Sequence, residues 1–355
     1  MWQSVGTARF IYNWTLNKQQ ENYKQGGKFI SDGEIRKQIT QLKKDELSWL
    51  NDVSNNVAKQ AVKDACTAYK NFFKGYSRFP KFKNKKKSKH VFYNDTAKLK
   101  VGTNAILLEK IGWIKIKSNQ IPVSPFSYTN PRISFDGKYW YISVGIDQEQ
   151  PQVKLTGESI GIDVGIKDLA ICSNGMIFNN INKTRVIKQL EKRLHRLQHR
   201  ISKKYEQNKN GKEYVKTNNI IKLEKRIKLL YRRLANIRAN HLHQATNKIV
   251  KVKPSKVVME TLRIQNMMKN RHLSKALHSQ GLYEFKRQIK YKCEWYGIEF
   301  VEADRWFPSS KLCSECGNKK QKLSLSERTY KCECCGLVID RDYNASINLS
   351  KYGLI

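Results

Sequence analysis

Four cysteines stand in two close pairs, Cys313-Ser-Glu-Cys316 and Cys332-Glu-Cys-Cys335, with 15 residues between the pairs. Thiolates so spaced can close tetrahedrally on one ion, about 2.3 Å from each sulfur, which suits zinc. An iron–sulfur cluster is the alternative that thiolates alone leave open, and Cys334 is a spare thiol able to stand in for a ligand. Gly317 and Gly336 directly follow the second cysteine of each pair, where a tight turn points backbone amides at sulfur. A fully ligated site of this kind holds a fold together and keeps no open position for catalysis.

The carboxylates offer a second chemistry. Asp163 lies inside an apolar strand between Ile162 and Val164, and Glu260 ends the run Val257-Val258-Met259. Asp340 and Asp342 lead into Asn344-Ala345-Ser346-Ile347-Asn348. A charge in an apolar strand is costly unless it is paired or binds metal. Three element ends, each carrying an acid, can converge on one or two hard cations, and oxygen ligands with retained waters are what magnesium prefers. Two such ions, about 4 Å apart, would activate water and stabilise the leaving oxygen in phosphodiester hydrolysis.

Charge points to the substrate class. The 355 residues carry 68 Lys+Arg against 30 Asp+Glu, a formal net charge of +38 spread from Lys18 to Lys351. Codon bias can raise lysine, but it does not leave acids so scarce. A folded surface this positive repels itself unless a polyanion neutralises it, and nucleic acid rewards each cation placed on a phosphate. No apolar run approaches the 18 or so residues of a membrane span and no secretory signal opens the chain. Five of the eight cysteines cluster and three are scattered, which reads as a metal site plus isolated thiols in a reducing compartment. A cytoplasmic, nucleoid-associated protein is expected.

The elements that must position these residues fall into three blocks. Residues 1–76 read as helical, with Val57, Ala61, Ala65, Ala68, Phe72 and Phe73 at helical spacing behind a cap at Ser54. A basic linker from Phe79 to Lys89 leads into short strands, IGWIKIK and RISFDGKYWYISVGI, the latter with an Asp136-Gly137 turn. These predict a small β-barrel over 77–157. From 158 a strand pair turns at Asn174-Gly175. Leu190, Leu194, Leu197 and Ile201, answered by Leu223, Ile227, Leu230, Leu234 and Ile237, predict an antiparallel helical hairpin over 185–250 with a basic outer face and a polar loop at 205–218. A strand ending at Glu260, a helix-rich stretch to Tyr296, the strand GIEFVEAD, the cysteine cluster and a helix from about Tyr343 complete the chain.

SIGIDVGIKDLAICSNG, VVMETLRIQNM, DRWFPSSKLCSECG and YKCECCGLVIDRDYNASINL resemble the three RuvC blocks and zinc ribbon of the TnpB (OrfB) family of insertion-sequence proteins, which is similar to the type V CRISPR effector nucleases. GTARFIYNW, FPKFK, IGWIKIK and KYWYISV extend the resemblance over nearly the whole chain. It implies a multidomain α/β protein: a helical recognition lobe at 1–76, a wedge-like β-barrel at 77–157, and an RNase H-like (RuvC) nuclease domain at 158–355 with a zinc ribbon inserted at 305–340. It implies that Asp163, Glu260 and Asp342 are the catalytic, metal-binding acids, holding Mg2+ or Mn2+ in a two-metal site, with Asp340 the alternative to Asp342 and Asn344 orienting their turn. Cys313, Cys316, Cys332 and Cys335 become the zinc ligands. The implied activity is RNA-guided cleavage of double-stranded DNA beside a short adjacent motif, with a guide RNA from the transposon end. The residues also leave room for a nucleic-acid-binding regulator, or for a conventional transposase that uses the same acids. The family usually opens with a further strand before the GTARFIYNW block, so the barrel's first strand is expected to be missing. Asn-Ala-Ser stands where the family commonly has Asn-Ala-Ala.

Overall fold

The computed structural model describes residues 1–117, 121, 127–211, 213–324 and 326–353, apart from the Gln265 side chain. Stretches 118–120 and 122–126 of the expected barrel, residue 212 of the expected polar loop, residue 325 of the ribbon and the last two residues lie outside the described residues. Contacts divide the chain into two compact units, Met1–Gln148 and Glu149–Ile355.

In the first unit, α1 (Trp2–Lys24), α2 (Asp32–Leu42) and α3 (Asn55–Phe73) pack around Ile11, Ile35, Ile39, Leu50, Ala58 and Val62. The starts of α2 and α3 have a local cause. Ser31 and Glu34 form a reciprocal capping box on α2, and the Ser54 hydroxyl accepts from the Asn56 amide at 3.1 Å, as the sequence predicts for α3. Strands β1 (His90–Tyr93), β5 (Tyr128–Phe135) and β6 (Trp140–Ile146) form one antiparallel sheet. The shorter β2 (Lys100–Val101), β3 (Ala105–Leu108) and β4 (Gly112–Lys115) form another. At the β5–β6 turn the Asp136 carboxylate accepts from the Lys138 and Tyr139 amides, each at 2.9 Å. Val5 and Val57 from the helices and Val53 from the segment before α3 share a core with Phe92, Ile106, Leu108 and Ile133 from both sheets. Arg132 of β5 donates two hydrogen bonds to Asp64 of α3, at 2.7 and 2.9 Å. Helices and sheets here bury one another.

The second unit is built on a five-stranded sheet of order β13-β12-β7-β8-β9, with β7 (Ser159–Val164), β8 (Asp168–Cys172), β9 (Ile177–Asn179), β12 (Lys256–Glu260) and β13 (Glu299–Ala303). The first three form an antiparallel meander, and β12 and β13 run parallel to β7. Between β9 and β12 the chain makes a long excursion: α4 (Arg185–Gln207), a short ladder of β10 (Lys209–Asn210) and β11 (Glu213–Tyr214), and α5 (Asn218–Lys251). A two-stranded ladder thus occupies part of the segment the sequence reads as a polar loop. The apolar seam is as expected: Ile187, Leu190 and Leu194 meet Leu230 and Leu234. Polar rungs flank it at Glu191–Arg238, Gln198–Tyr231 and Tyr205–Glu224, at 2.8, 2.6 and 2.7 Å. Successive rungs step seven residues up one helix and seven down the other, the register of an antiparallel coiled coil.

Side-chain alternation sorts the sheet into two faces. Ile160, Ile162 and Val164 of β7, with Val257 and Met259 of β12, pack against α5 and against α8 (Leu282–Tyr296), which follows α6 (Ile264–Met267) and α7 (Arg271–Gln280). The opposite parity, Gly161 and Asp163 on β7 and Val258 and Glu260 on β12, faces the other way. Val258 meets Ala303 and Leu349 there, the last on helix α9 (Arg341–Ser350), which follows the ladder of β14 (Thr329–Lys331) and β15 (Val338–Asp340).

Candidate active site and metal centre

That second face brings the predicted acids together. Ile162 of β7 pairs with Met259 of β12, so the next residues along these parallel strands, Asp163 and Glu260, are neighbours at the strand ends. Asp342 enters from the first turn of α9. All three are in electrostatic reach of one another. Burial pushes the Asp163 carboxyl well above the ordinary carboxylate range, and the charges of Glu260 and Asp342 raise it further, offset in part by Arg341. Burial, then Asp342, raises Glu260 to about 6. Asp163 is nonetheless only half-buried by exposure, so dense protein surrounds a carboxyl that keeps a window to solvent. The Arg328 guanidinium stands 3.9 Å from Asp342. Acids that raise each other's pKa in this way, with only Arg341 and the distant Arg328 guanidinium set against them, form an environment that a divalent cation relieves.

Asp340 has a different position. Its carboxylate accepts from the backbone amides of Asp342 and Tyr343, both at 3.0 Å, so it is the N-cap of α9. Asn344, expected to orient this turn, is fully buried; its side chain accepts from the Ser314 amide at 3.0 Å and donates to the Leu312 carbonyl at 2.7 Å. Asn348, one turn on, donates to the Ser309 and Leu312 carbonyls at 2.7 and 2.8 Å. Two asparagines thus strap the helix bearing Asp342 to the first cysteine knuckle. Gly161 is a residue the sequence reading did not single out; a glycine inside an alternating strand is the signal that marks a close backbone approach.

The sulfurs of Cys313, Cys316, Cys332 and Cys335 all lie within 4.8 Å of one another. Cys313–Cys335 and Cys316–Cys332 are separated by 3.5 and 3.6 Å, close to the ~3.8 Å edge of a tetrahedron with 2.3 Å zinc–sulfur bonds. Hydrogen bonds from the Cys335 and then the Cys334 amide lower Cys332 and favour its thiolate, whereas desolvation and the neighbouring thiols push Cys335 up, so four sulfurs this close do not all ionise without a cation among them. Gly317 and Gly336 adopt φ of +75° and +76°, the left-handed conformation that turns each knuckle. Cys334 stays outside the foursome and is exposed. Among the described residues this is the one group of His, Cys, Asp or Glu whose ligand atoms close so tightly; the three like-charged carboxylates stand looser.

A mixed helix-and-sheet protein with a carboxylate cluster on one sheet face, strapped to a tetrathiolate knuckle, is the class these features define. Residues 141–271 match a family model described as "Probable transposase", residues 283–349 match "Cas12f1-like, TNB domain" and residues 1–28 match "Helix-turn-helix domain". A Streptomyces pristinaespiralis protein named "Putative RNA-guided DNA endonuclease" is 30% identical, over 99% of this chain and 85% of its own length. An Escherichia coli (strain K12) protein named "Putative RNA-guided DNA endonuclease InsQ" is 29% identical, over 98% of this chain and 87% of its own. The chain belongs to the TnpB (OrfB) family of insertion-sequence proteins, relatives of the type V effectors. Its fold is shared with the protein in "Cryo-EM structure of the Cas12f1-sgRNA-target DNA complex", at a TM-score of 0.62 and 15% identity, covering 98% of this chain and 81% of that one. Among the described residues no helix is long and apolar enough to cross a membrane.

Proposed function

We propose that this chain is an RNA-guided DNA endonuclease of an insertion sequence, cutting double-stranded DNA beside a short adjacent motif with an RNase H-like (RuvC-type) domain. The observation that carries the reading is the placement of Asp163 and Glu260 on one sheet face, with Asp342 delivered to them by the helix packed there. The sheet order, a meander followed by two strands parallel to its first, supports the RNase H-like assignment. The names of the relatives support guide RNA and DNA as partners, and so does a net charge of +38.

Asp163, Glu260 and Asp342 supply the oxygen ligands for Mg2+, with Mn2+ as a substitute. The bound cations provide an activated water and offset charge on the leaving oxygen. The chain's own part is to hold the carboxylates on rigid strand ends and a helix N-terminus. Asp340 caps that helix, and Asn344 and Asn348 fasten it to the ribbon. Cys313, Cys316, Cys332 and Cys335 hold a structural Zn2+. The helices of 1–76 and the sheets of 77–157 form the recognition lobe and wedge-like barrel that read the adjacent motif, while base pairing to the guide selects sequence.

The test is cleavage of plasmid by the purified protein with its co-purified RNA and magnesium. Double-strand breaks that vanish in Asp163→Ala are expected; retained cutting by that variant rejects the site. Tight, salt-sensitive binding without cleavage marks a regulator, and strand-transfer products mark a conventional transposase.

A further inference from the structure

The turn after Asp163 is held in an unusual way. The β7–β8 ladder ends at the pair Val164–Ala170, and beyond it the Gly165 amide still donates to the Leu169 carbonyl of β8 at 3.3 Å while the carbonyls of residues 165–167 point elsewhere. These three successive carbonyl oxygens are taken by three side chains. Gln280, the last residue of α7, donates to Gly165 at 3.2 Å; Asn180 donates to Ile166 at 2.7 Å; Lys183 donates to Lys167 at 2.7 Å. Gln280 and Asn180 are buried, where the partners of a hydrogen bond have no water to replace them.

Two of these donors, Asn180 and Gln280, are tied together by Asn182. Its amide group donates to Asn180, to the Ser279 carbonyl and to Gln280, at 3.0, 3.1 and 3.2 Å. Its oxygen accepts from Arg238 of α5 at 2.7 Å, and the same guanidinium reaches Glu191 of α4 at 2.8 Å. One polar chain therefore runs from the paired helices of the basic hairpin, through Asn182 and Gln280, to a carbonyl two residues beyond Asp163. None of these residues touches the acids, and packing alone does not require them to be polar.

We infer that Gln280, Asn182 and Arg238 are positioning residues for Asp163, fixing the turn at the open end of β7 so that its carboxylate is held ready for a divalent cation. This rests on the metal-binding role proposed above for Asp163. Side chains that orient metal ligands from behind commonly alter metal affinity by about 10–100-fold. Metal affinity, rather than nucleic-acid affinity, is the quantity these residues control.

The experiment titrates Mn2+ into the full-length protein without nucleic acid, reading free Mn2+ by electron paramagnetic resonance, with Asp163→Ala defining the sites that depend on that acid. Gln280→Met keeps the volume and removes both the donor and the acceptor. It is expected to weaken the Asp163-dependent site about tenfold and to raise the Mg2+ needed for half-maximal cleavage by a similar factor. Arg238→Met is expected to weaken it about threefold, an order-of-magnitude figure for a more distant member of the same chain. DNA binding in Ca2+ should stay within about twofold. Gln280→Glu keeps the acceptor for Asn182 but loses the donor to Gly165, and should resemble Gln280→Met. If Gln280→Met does not fold, Arg238→Met on the half-exposed hairpin decides. Variants matching a wild type that does show an Asp163-dependent site overturn the inference alone; a wild type with no such site overturns the proposed metal-binding role and the inference with it.

Discussion

Gly161 of β7 lies so close to α9 that a Cβ there would stand 2.0 Å from the Ser346 carbonyl oxygen and 2.3 Å from the Ser350 amide nitrogen. Gly161 is two residues before Asp163 and Ser346 is one helical turn after Asp342, so this contact sets how far apart the two acids stand. Gly161→Ala must push backbone away from backbone. A loss of stability of about 1–3 kcal/mol or more and a fall in cleavage of at least about 100-fold are expected, since a 1 Å misplacement alone can cost that factor. Gly157→Ala, with nothing within 4 Å of the added carbon, is the control. Melting temperature and cleavage rate measured side by side check this; a fully active Gly161→Ala would mean that the α9 contact does not govern the site.

Asp340 and Asp342 are two residues apart, and the proposed site takes Asp342 as its third ligand. Asp340 is already occupied as the cap of α9. Asparagine caps a helix about as well as aspartate, so Asp340→Asn should cut within a few-fold of wild type, whereas Asp340→Ala should lose about 1 kcal/mol of stability. Asp342→Asn keeps the size and removes the charge, and should reduce cleavage by more than about 100-fold, in line with the barrier cost of losing a preorganised charge. Cleavage rates of the two Asn variants decide it: the opposite ranking would transfer the ligand role to Asp340.

Asn344 and Asn348 tie the helix that carries Asp342 to the first cysteine knuckle. Cys316→Ser should lower bound zinc from about one per chain, measured by metal analysis, because a structural site needs all four ligands. Cleavage should fall with it, since the straps from α9 end on residues 309–314. Asn344→Leu should leave zinc in place while stranding the Ser314 amide, a cost of about 1–3 kcal/mol; the Leu312 carbonyl keeps its hydrogen bond from Asn348. Unchanged cleavage in a zinc-depleted protein would separate ribbon and active site.

Much of this was legible in the residues because local physics decides it. Ser54 caps α3, Asp136-Gly137 turns a hairpin, and the Leu190–Leu194 spacing finds its partners at Leu230 and Leu234. The cysteine spacing alone implied four converging sulfurs. The acids were harder. An apolar strand makes Asp163 conspicuous, but nothing local says that Glu260, 97 residues on, lies on the adjacent parallel strand. Here the family resemblance, not the pattern, selected the trio. What stayed hidden was whatever depends on contacts distant in sequence: the backbone approach at Gly161, the role of Asn344 as a strap to the knuckle, and Gln280 bonding to Gly165 across 115 residues. Asparagines and glutamines inside helices look like solvated surface until the tertiary structure buries them.

The raised carboxyls make stability, and the metal affinity proposed for them, depend on pH in opposite senses. Glu260 moves from an ordinary value near 4.5 to about 6, chiefly through burial and then through Asp342. For an acid with a raised folded pKa, the folded state binds the proton more tightly than the unfolded chain does. Below about 4.5 both states are protonated and nothing is lost; as pH rises from there to about 6 the unfolded chain ionises first, and the metal-free fold loses stability. Asp163, raised in the same direction, adds to that loss. Glu260→Gln removes one of these titrations and one like charge. In chelator-treated protein, the melting temperature of wild type should therefore drop relative to Glu260→Gln between pH 4.5 and 6, with wild type the less stable at neutral pH. Excess Mg2+ at pH 7.5 should raise the wild-type melting temperature and leave Glu260→Gln nearly unmoved, and the Mg2+ effect on wild type should fade as pH falls through 6. Parallel melting curves for the two proteins across this range, with and without Mg2+, would show that Glu260 neither faces the other acids nor meets the cation.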